Sequence, residues 1–282
     1  MKGLLERGIT AFVFGAVMLG GIYGGPYTFA LLFALITGLC LWEFFEIVLS
    51  KNRSIDLIRR LLGLGLGITP FVLAAVLQLE LVINKDAFIA IATLLLFPFI
   101  FSAFIYELYT KSEQPFVNVA YIVLGLAYIG VPFALLEFIA FEDGFFHPNT
   151  VFGLLVLTWF NDTGAYVVGS KFGKTPLFPR ISPKKTWEGA AGGAASAFIG
   201  AFLVFTLFGE LRLTDWIVLG AIVTVFGNLG DLVESMLKRS VNIKDSGNLL
   251  PGHGGLLDRF DAFIFLLPFA TAYLLWVRLG GV

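Results

Sequence analysis

Long apolar runs separated by short polar breaks occupy the whole chain. A helix that crosses a bilayer needs roughly 17–25 such residues. Runs of about that length fall at Gly8–Tyr23, Tyr27–Leu49, Arg60–Leu79, Ala87–Tyr109, Val117–Ala140, Val151–Ser170, Gly189–Phe208, Asp215–Leu232 and Phe260–Leu279. The pattern predicts an all-α polytopic membrane protein with about nine transmembrane helices. The first run is the shortest and follows Lys2 and Arg7, as a signal peptide would. No A-x-A-type cleavage site comes after it, so it reads as a retained helix.

The basic residues orient these spans. With the N-terminus cytoplasmic and nine crossings, all of the 19 Lys and Arg except Lys85, Arg212 and Arg278 fall on the inner side. One crossing more or fewer in mid-chain would mix the two groups. Composition agrees: 58% hydrophobic and 14% charged residues exclude a soluble globule, and the net charge of −1 conveys little because the charges are segregated. Cys40 is alone in an apolar run, and His147 and His253 are the only histidines. A His/Cys transition-metal cluster is therefore excluded, and any metal should be hard and oxygen-bound.

The chain divides by chemistry. Residues 1–150 are apolar helices with few internal polar groups, a scaffold. Residues 151–282 carry polar residues within the spans and charged cytoplasmic loops, a catalytic portion of one integral membrane unit. In the first portion, Glu43 and Glu46 read as interfacial carboxylates beside the Lys51–Arg60 loop. "LLGLGLG" (Leu61–Gly67) reads as close helix packing through small residues rather than a nucleotide loop. "FEDGFFHPNT" is an outside loop in which His147 is solvated. "GSKFGKTP" is not a P-loop: Val168 stands where the first glycine is needed, and Pro176 spoils the helix that should follow.

Asp162, in "WFNDTGAY", is an ionisable group inside a span, which costs about 2.5–3.5 kcal/mol on insertion scales and so calls for a reason. It lies ~18 Å from an outer start near Thr150 at the helical rise per residue. In "GDLVESMLKR", Asp231, Glu234, Ser235 and Lys238 share one helical face, with Asp231 ~24 Å from an outer start near Asp215. "PGHGG" (Pro251–Gly255) returns the chain to the membrane. Asp258 and Asp261, three apart on the next first turn, then form a carboxylate pair suited to magnesium completed by water and phosphate oxygens. In "ISPKKTWEG", Ser182 is expected as an N-cap, Pro183 as the first helical residue, and Lys184 and Lys185 in the first turn, an anion site. Lys238, Arg239, Lys244, His253 and Arg259 lie on the same side of the membrane, interleaved with Asp231, Asp245, Asp258 and Asp261.

These residues carry a family resemblance. "SMLKRSVNIKDSGNLLPGHGGLLDRFD" (Ser235–Asp261) resembles the signature of the phosphatidate cytidylyltransferases, or CDP-diglyceride synthases: S-x-x-K-R, K-D-x-G, then H-G-G-x-x-D-R-x-D. "NDTGAY", "FGK", "SPKKTWEG" and "GDLVES" are similar to that family's blocks, in order. The resemblance covers Val151 to the C-terminus, whereas the first 150 residues match only as apolar helices. Ala262 departs from the pattern, where Ser is expected. The resemblance implies a multi-pass enzyme of the bacterial-type inner membrane that condenses CTP with phosphatidate to CDP-diacylglycerol and pyrophosphate. One or two divalent cations are implied, Mg²⁺ or a second, different one. Asp231, Asp258, Asp261, Lys238 and Arg239 are the expected catalytic residues. Asp162 joins the three aspartates as a metal ligand, and Lys184, Lys185, Lys244, His253, Arg259 and Ser182 bind phosphate. The expected partners are CTP and bilayer phosphatidate, not nucleic acid, with a homodimer left open. A CTP-dependent polyprenol kinase, a CDP-archaeol-type synthase and an ion-coupled transporter are the alternatives. The polar groups crowd one half and one face of the chain, which counts against transport.

Overall fold

The computed structural model describes residues 2–49, 53–252 and 254–280, the side chains of residues 2–7 and 53–55 excepted. It is helical almost throughout: α1 Lys2–Tyr23, α2 Pro26–Leu49, α3 Arg53–Gln78, α4 Lys85–Thr110, α5 Pro115–Gly125, α6 Val131–Ala140, α7 Pro148–Phe172, α8 Trp187–Phe208, α9 Leu213–Ile222, α10 Asn228–Ser240 and α11 Leu257–Arg278. Single π turns at Leu126–Gly130 and Val223–Gly227 join α5 to α6 and α9 to α10 without ending the helix. Two short antiparallel hairpins complete the list, β1 (Phe141–Glu142) with β2 (Phe145–Phe146) and β3 (Pro176–Phe178) with β4 (Ser182–Thr186).

Among the described residues, eight helices are long and apolar enough to cross a membrane, and the remaining run, Gly8–Tyr23, is a shorter apolar helix. Outward-facing side chains are apolar: Phe12 is 77% exposed, Leu94 71% and Leu108 78%. Such surfaces need lipid rather than water against them. This is a multi-pass membrane protein.

Two compact units are distinguishable, Met1–Phe138 with Asp245–Leu257, and Ile139–Lys244 with Asp258–Val282. In the first, Phe29, Phe33, Phe44, Phe45 and Phe133 are fully buried. The glycine run of α3 packs as the sequence suggests. A Cβ at Gly63 would lie 2.6 Å from the Phe45 ring, and one at Gly67 2.7 Å from Leu41. Gly130, in the first π turn, seats against the Gly67 carbonyl, where a Cβ would come within 1.9 Å. A buried ionic cluster ties α3 to α4: the Arg59 guanidinium donates to Glu107 and, at 2.8 Å, to Asp56. Asn118 of α5 joins it by donating to Glu107 at 3.2 Å.

In the second unit α7 and α8 touch along small residues. A Cβ at Gly164 would lie 2.1 Å from Ser196 Oγ, and one at Gly192 2.4 Å from Val168. Such contacts let membrane helices gain packing that lipid cannot supply. One end of this unit is closed by polar links. Asn149 and Thr150 donate to Glu210, Tyr273 Oη donates to Asp215 at 2.8 Å, and Arg278 pairs with Glu142 at 3.0 Å. Arg212 and Arg278, two of the three cations assigned to the outer face by the sequence, both belong to this end, Arg212 through its pair with Asp215.

Candidate active site

At the other end of the second unit is a cavity of about 580 Å³ between α7, the β3–β4 hairpin, α8, α10 and α11. Helix α7 contributes Trp159, Asp162 and Tyr166, spaced three and four apart so that they share one face. Next to them, Asn161 is buried between α7 and α8, its amide 3.4 Å from Asp162 Oδ1. Gly193 of α8 leaves that room, since a Cβ there would lie 2.7 Å from Asn161 Oδ1.

The hairpin corrects one expectation. Ser182 is not an N-cap and Pro183 does not start a helix: residues 182–186 form β4, with Phe178 opposite Ser182 and Pro176 opposite Thr186. The cap is Thr186, whose Oγ1 accepts from the Gly189 N–H at 3.1 Å. Glu188, in the first turn of α8, accepts from the backbone N–H groups of Lys174 and Thr175 and so fastens the chain leaving α7. Pairing with β3 draws Ser182–Thr186 into an extended form, which leaves Thr186 as the cap-forming hydroxyl at the strand-to-helix junction. Lys184 and Lys185 still reach the cavity, but from a strand.

Three helices bring acids to the same place. Asp231 of α10 lines the cavity and pairs with Lys185 Nζ at 2.6 Å, while Ser235 Oγ donates to its Oδ1 at 3.3 Å. Asp258, Arg259 and Asp261 enter from the first turns of α11. Asp261 is buried, with its Oδ1 accepting from the Ala262 N–H at 2.6 Å. Asp162, Asp231 and Asp261 stand within electrostatic reach of one another, with Lys185, Lys238 and Arg259 close enough to act on members of the set. Lys238 is placed behind the wall. Its ammonium bridges the buried Glu234 and, at 2.7 Å, Asp258.

The structure therefore gathers Asp162, Asp231, Asp258, Asp261, Lys184, Lys185 and Arg259 around one cavity. Arg239 and Lys244 are exposed and are not among its lining residues. Arg239 donates to the Ile243 carbonyl at 3.1 Å, closing the turn after α10. Ser182 does not line it either, and His253 lies outside the described residues. Sequence reasoning did not single out Trp159, Tyr166 or Asn228. The signal was their helical spacing from Asp162 and Asp231. Asn228 follows directly on the second π turn and donates to the Thr224 carbonyl at 2.6 Å, a local departure from α geometry of the kind found at functional sites.

The lining offers a metal only hard oxygen donors. No cysteine lines the cavity, and among the described residues no group of three His, Cys, Asp or Glu side chains is arranged to hold an ion alone. That set fits magnesium, which is commonly bound by one or two carboxylates together with water and substrate phosphate oxygens.

The chain matches the model of a family described as "Cytidylyltransferase family" over residues 5–277. It is 38% identical over 213 residues to the phosphatidate cytidylyltransferase of Staphylococcus saprophyticus, covering 74% of this chain and 80% of the relative. It is 44% identical over 166 residues to that of Bacillus subtilis, covering 58% and 61%, and 40% identical over 178 residues to that of Staphylococcus aureus strain COL, covering 60% and 64%. The matched part thus spans less than two thirds of the Bacillus subtilis and Staphylococcus aureus proteins. A match to the family's model along almost the whole chain makes this chain a member of the cytidylyltransferase family.

Proposed function

We propose that this chain condenses CTP with phosphatidate to form CDP-diacylglycerol and pyrophosphate. The observation that carries the reading is one cavity, at one end of a membrane-embedded unit, lined by four aspartates, two lysines and an arginine. A lipid phosphate and a nucleotide triphosphate together bring several negative charges, and few other substrates would use so many charged groups beside so much apolar helix. The related proteins named phosphatidate cytidylyltransferase point the same way.

In this reaction a phosphate oxygen of phosphatidate attacks the α-phosphorus of CTP. The bond from that phosphorus to the α–β bridging oxygen breaks, and pyrophosphate leaves with the electron pair. The nucleophile is already an anion, so no strong general base is required. The chain's task is to align the phosphates and offset the charge that moves to the leaving group. Lys184, Lys185 and Arg259 hold phosphate oxygens. Lys238 holds Asp258 in place from behind. Asp162, Asp231, Asp258 and Asp261 would hold Mg²⁺, which when bound neutralises phosphate charge and favours departure of pyrophosphate. The cavity faces the cytoplasm across a bacterial inner membrane, as the segregation of Lys and Arg supports.

The test is pyrophosphate release by the purified protein in detergent with phosphatidate and Mg²⁺, comparing CTP, dCTP and ATP. Release with CTP and formation of the CDP-lipid are expected. CDP in place of pyrophosphate would indicate a lipid kinase, and no product from any cytidine nucleotide would refute the reading. Asp231→Asn, Asp258→Asn and Asp261→Asn should each lower turnover at least about 100-fold while the protein still inserts and purifies. Near-normal activity in one variant removes that residue from the set.

A further inference from the structure

Glu43 lies in α2, far in sequence from every residue of the cavity, and its sequence setting suggests no more than an interfacial acid. In the structure it is buried, 6% exposed, and its carboxylate is fully engaged. Ser246 Oγ donates to Oε2 at 3.1 Å, the Leu256 N–H donates to Oε1 at 3.0 Å, and the Leu257 N–H donates to Oε2 at 2.8 Å. These partners lie 203–214 residues away along the chain.

Two of the glycines in this loop are explained by that carboxylate. A Cβ at Gly247 would stand 2.7 Å from Glu43 Oε1. One at Gly255 would stand 2.5 Å from Oε2 and 2.0 Å from Ser246 Oγ. Gly252 and Gly254 have a separate reason, φ values of 74° and 84°, which L side chains rarely adopt. Glu43 thus grips both ends of the loop at once: residue 246 where it departs and residues 256 and 257 where it returns.

Leu257 is the first residue of α11, so its N–H is one of the four at a helix start that lack an intrahelical partner. Such a group is usually satisfied by a cap one or two residues upstream. Here a carboxylate from another helix does it, and its charge also suits the positive end of the helix dipole. Asp258 is the next residue, and Asp261 is one turn on. A local cap would fix only the helix start against its own loop. A remote one ties the Leu257 N–H, and the loop before it, to α2.

We infer that Glu43 is a positioning residue for turnover. By anchoring Ser246, Leu256 and Leu257 to α2, it sets the point from which α11 presents Asp258 and Asp261. The inference rests on the function proposed above for its effect on catalysis, although the anchoring itself does not.

The experiment uses the full chain in detergent with Glu43→Gln, Gly255→Ala and the control Glu46→Gln, whose parent side chain is mostly exposed and pairs with Arg60 at 3.5 Å. Hydrogen exchange and steady-state kinetics are read on each. Glu43→Gln replaces one acceptor oxygen by an NH₂ group facing N–H or O–H donors, and Gly255→Ala disturbs the same contact from the loop side. Both should speed exchange across residues 246–257 while α7 and α8 remain protected. Both should lower kcat about 100-fold with the KM for CTP little changed, the result expected when reacting groups are misplaced by about 1 Å. Glu46→Gln should match the wild type in both measurements. Unchanged exchange in the loop overturns the anchoring. Normal kcat in Glu43→Gln, or a loss of kcat only in proportion to the unfolded fraction, overturns the positioning role. A wild-type protein that releases no pyrophosphate refutes the proposed function instead, and the exchange measurement still decides the anchoring.

Discussion

Replacing Lys238 with Met tests whether its ammonium is a structural counter-charge as well as a neighbour of the cavity. Lys238 bridges Glu234 and Asp258, with side chains exposed by only 12%, 0% and 11% respectively. With the ammonium present, two carboxylates share one positive charge. Without it, the fully buried Glu234 loses the ammonium beside it and Asp258 loses one of its contacts, in a region largely shielded from water. Removing one partner of a buried ion pair typically costs about 3–5 kcal/mol, most of it the penalty of leaving charge uncompensated. Lys238→Met should fall in that range, since methionine fills much of the same volume and little is lost in packing. Glu234→Gln keeps the Lys238–Asp258 pair and removes the more buried carboxylate, so it should cost distinctly less. The double variant should be more stable than Lys238→Met alone, with a coupling of roughly 0.5–3 kcal/mol, because the buried carboxylate that Lys238 faces is then absent. SDS titration in mixed micelles, followed by intrinsic fluorescence, measures all four proteins. A Lys238→Met variant within about 1 kcal/mol of wild type, or a double variant no more stable than Lys238→Met, would refute the reasoning.

Two further substitutions test the local architecture. Thr186→Ala removes the hydroxyl that caps α8 and should destabilise by about 1 kcal/mol, whereas Ser182→Ala should be nearly neutral. Thermal unfolding in detergent distinguishes them, and the reverse order would restore the helix start at Ser182. Gly164→Val should cost about 1–3 kcal/mol by wedging α7 from α8, because its Cβ would meet Ser196 Oγ at 2.1 Å and the Gly192 carbonyl at 2.7 Å. Gly20→Ala in α1, with no atom within 4 Å of its Cβ, should be neutral or slightly stabilising, and equal losses in the two would argue against close α7–α8 packing.

Much of the fold was legible because the bilayer imposes a length on any helix that crosses it. The runs beginning at Tyr27, Ala87 and Val151 correspond to α2, α4 and α7 within a few residues. The acids of the cavity were legible for a related reason: a carboxylate in an apolar run is costly enough to require a purpose, and Asp162, Asp231, Asp258 and Asp261 all line the cavity. Lys238, expected as a catalytic residue, does not line the cavity and contacts Asp258 from behind it. Its helical face places it near Glu234, while its contact with Asp258 depends on how α10 meets α11.

By itself, the sequence determined the class of protein, most of the helices and which charged residue types the candidate site would draw on, since these follow from hydrophobic length, charge segregation and residue type. Only the tertiary structure decided that residues 182–186 form a strand, that Thr186 caps α8, and that Glu43 holds the start of α11. The physical reason is the same in each case. Ser182 and Thr186 are both competent caps, and Glu43 and Glu46 are both acids near a helix end, so local preference leaves the alternatives nearly equal. The choice is made by hydrogen bonds to partners that the fold brings from elsewhere in the chain, up to 214 residues away.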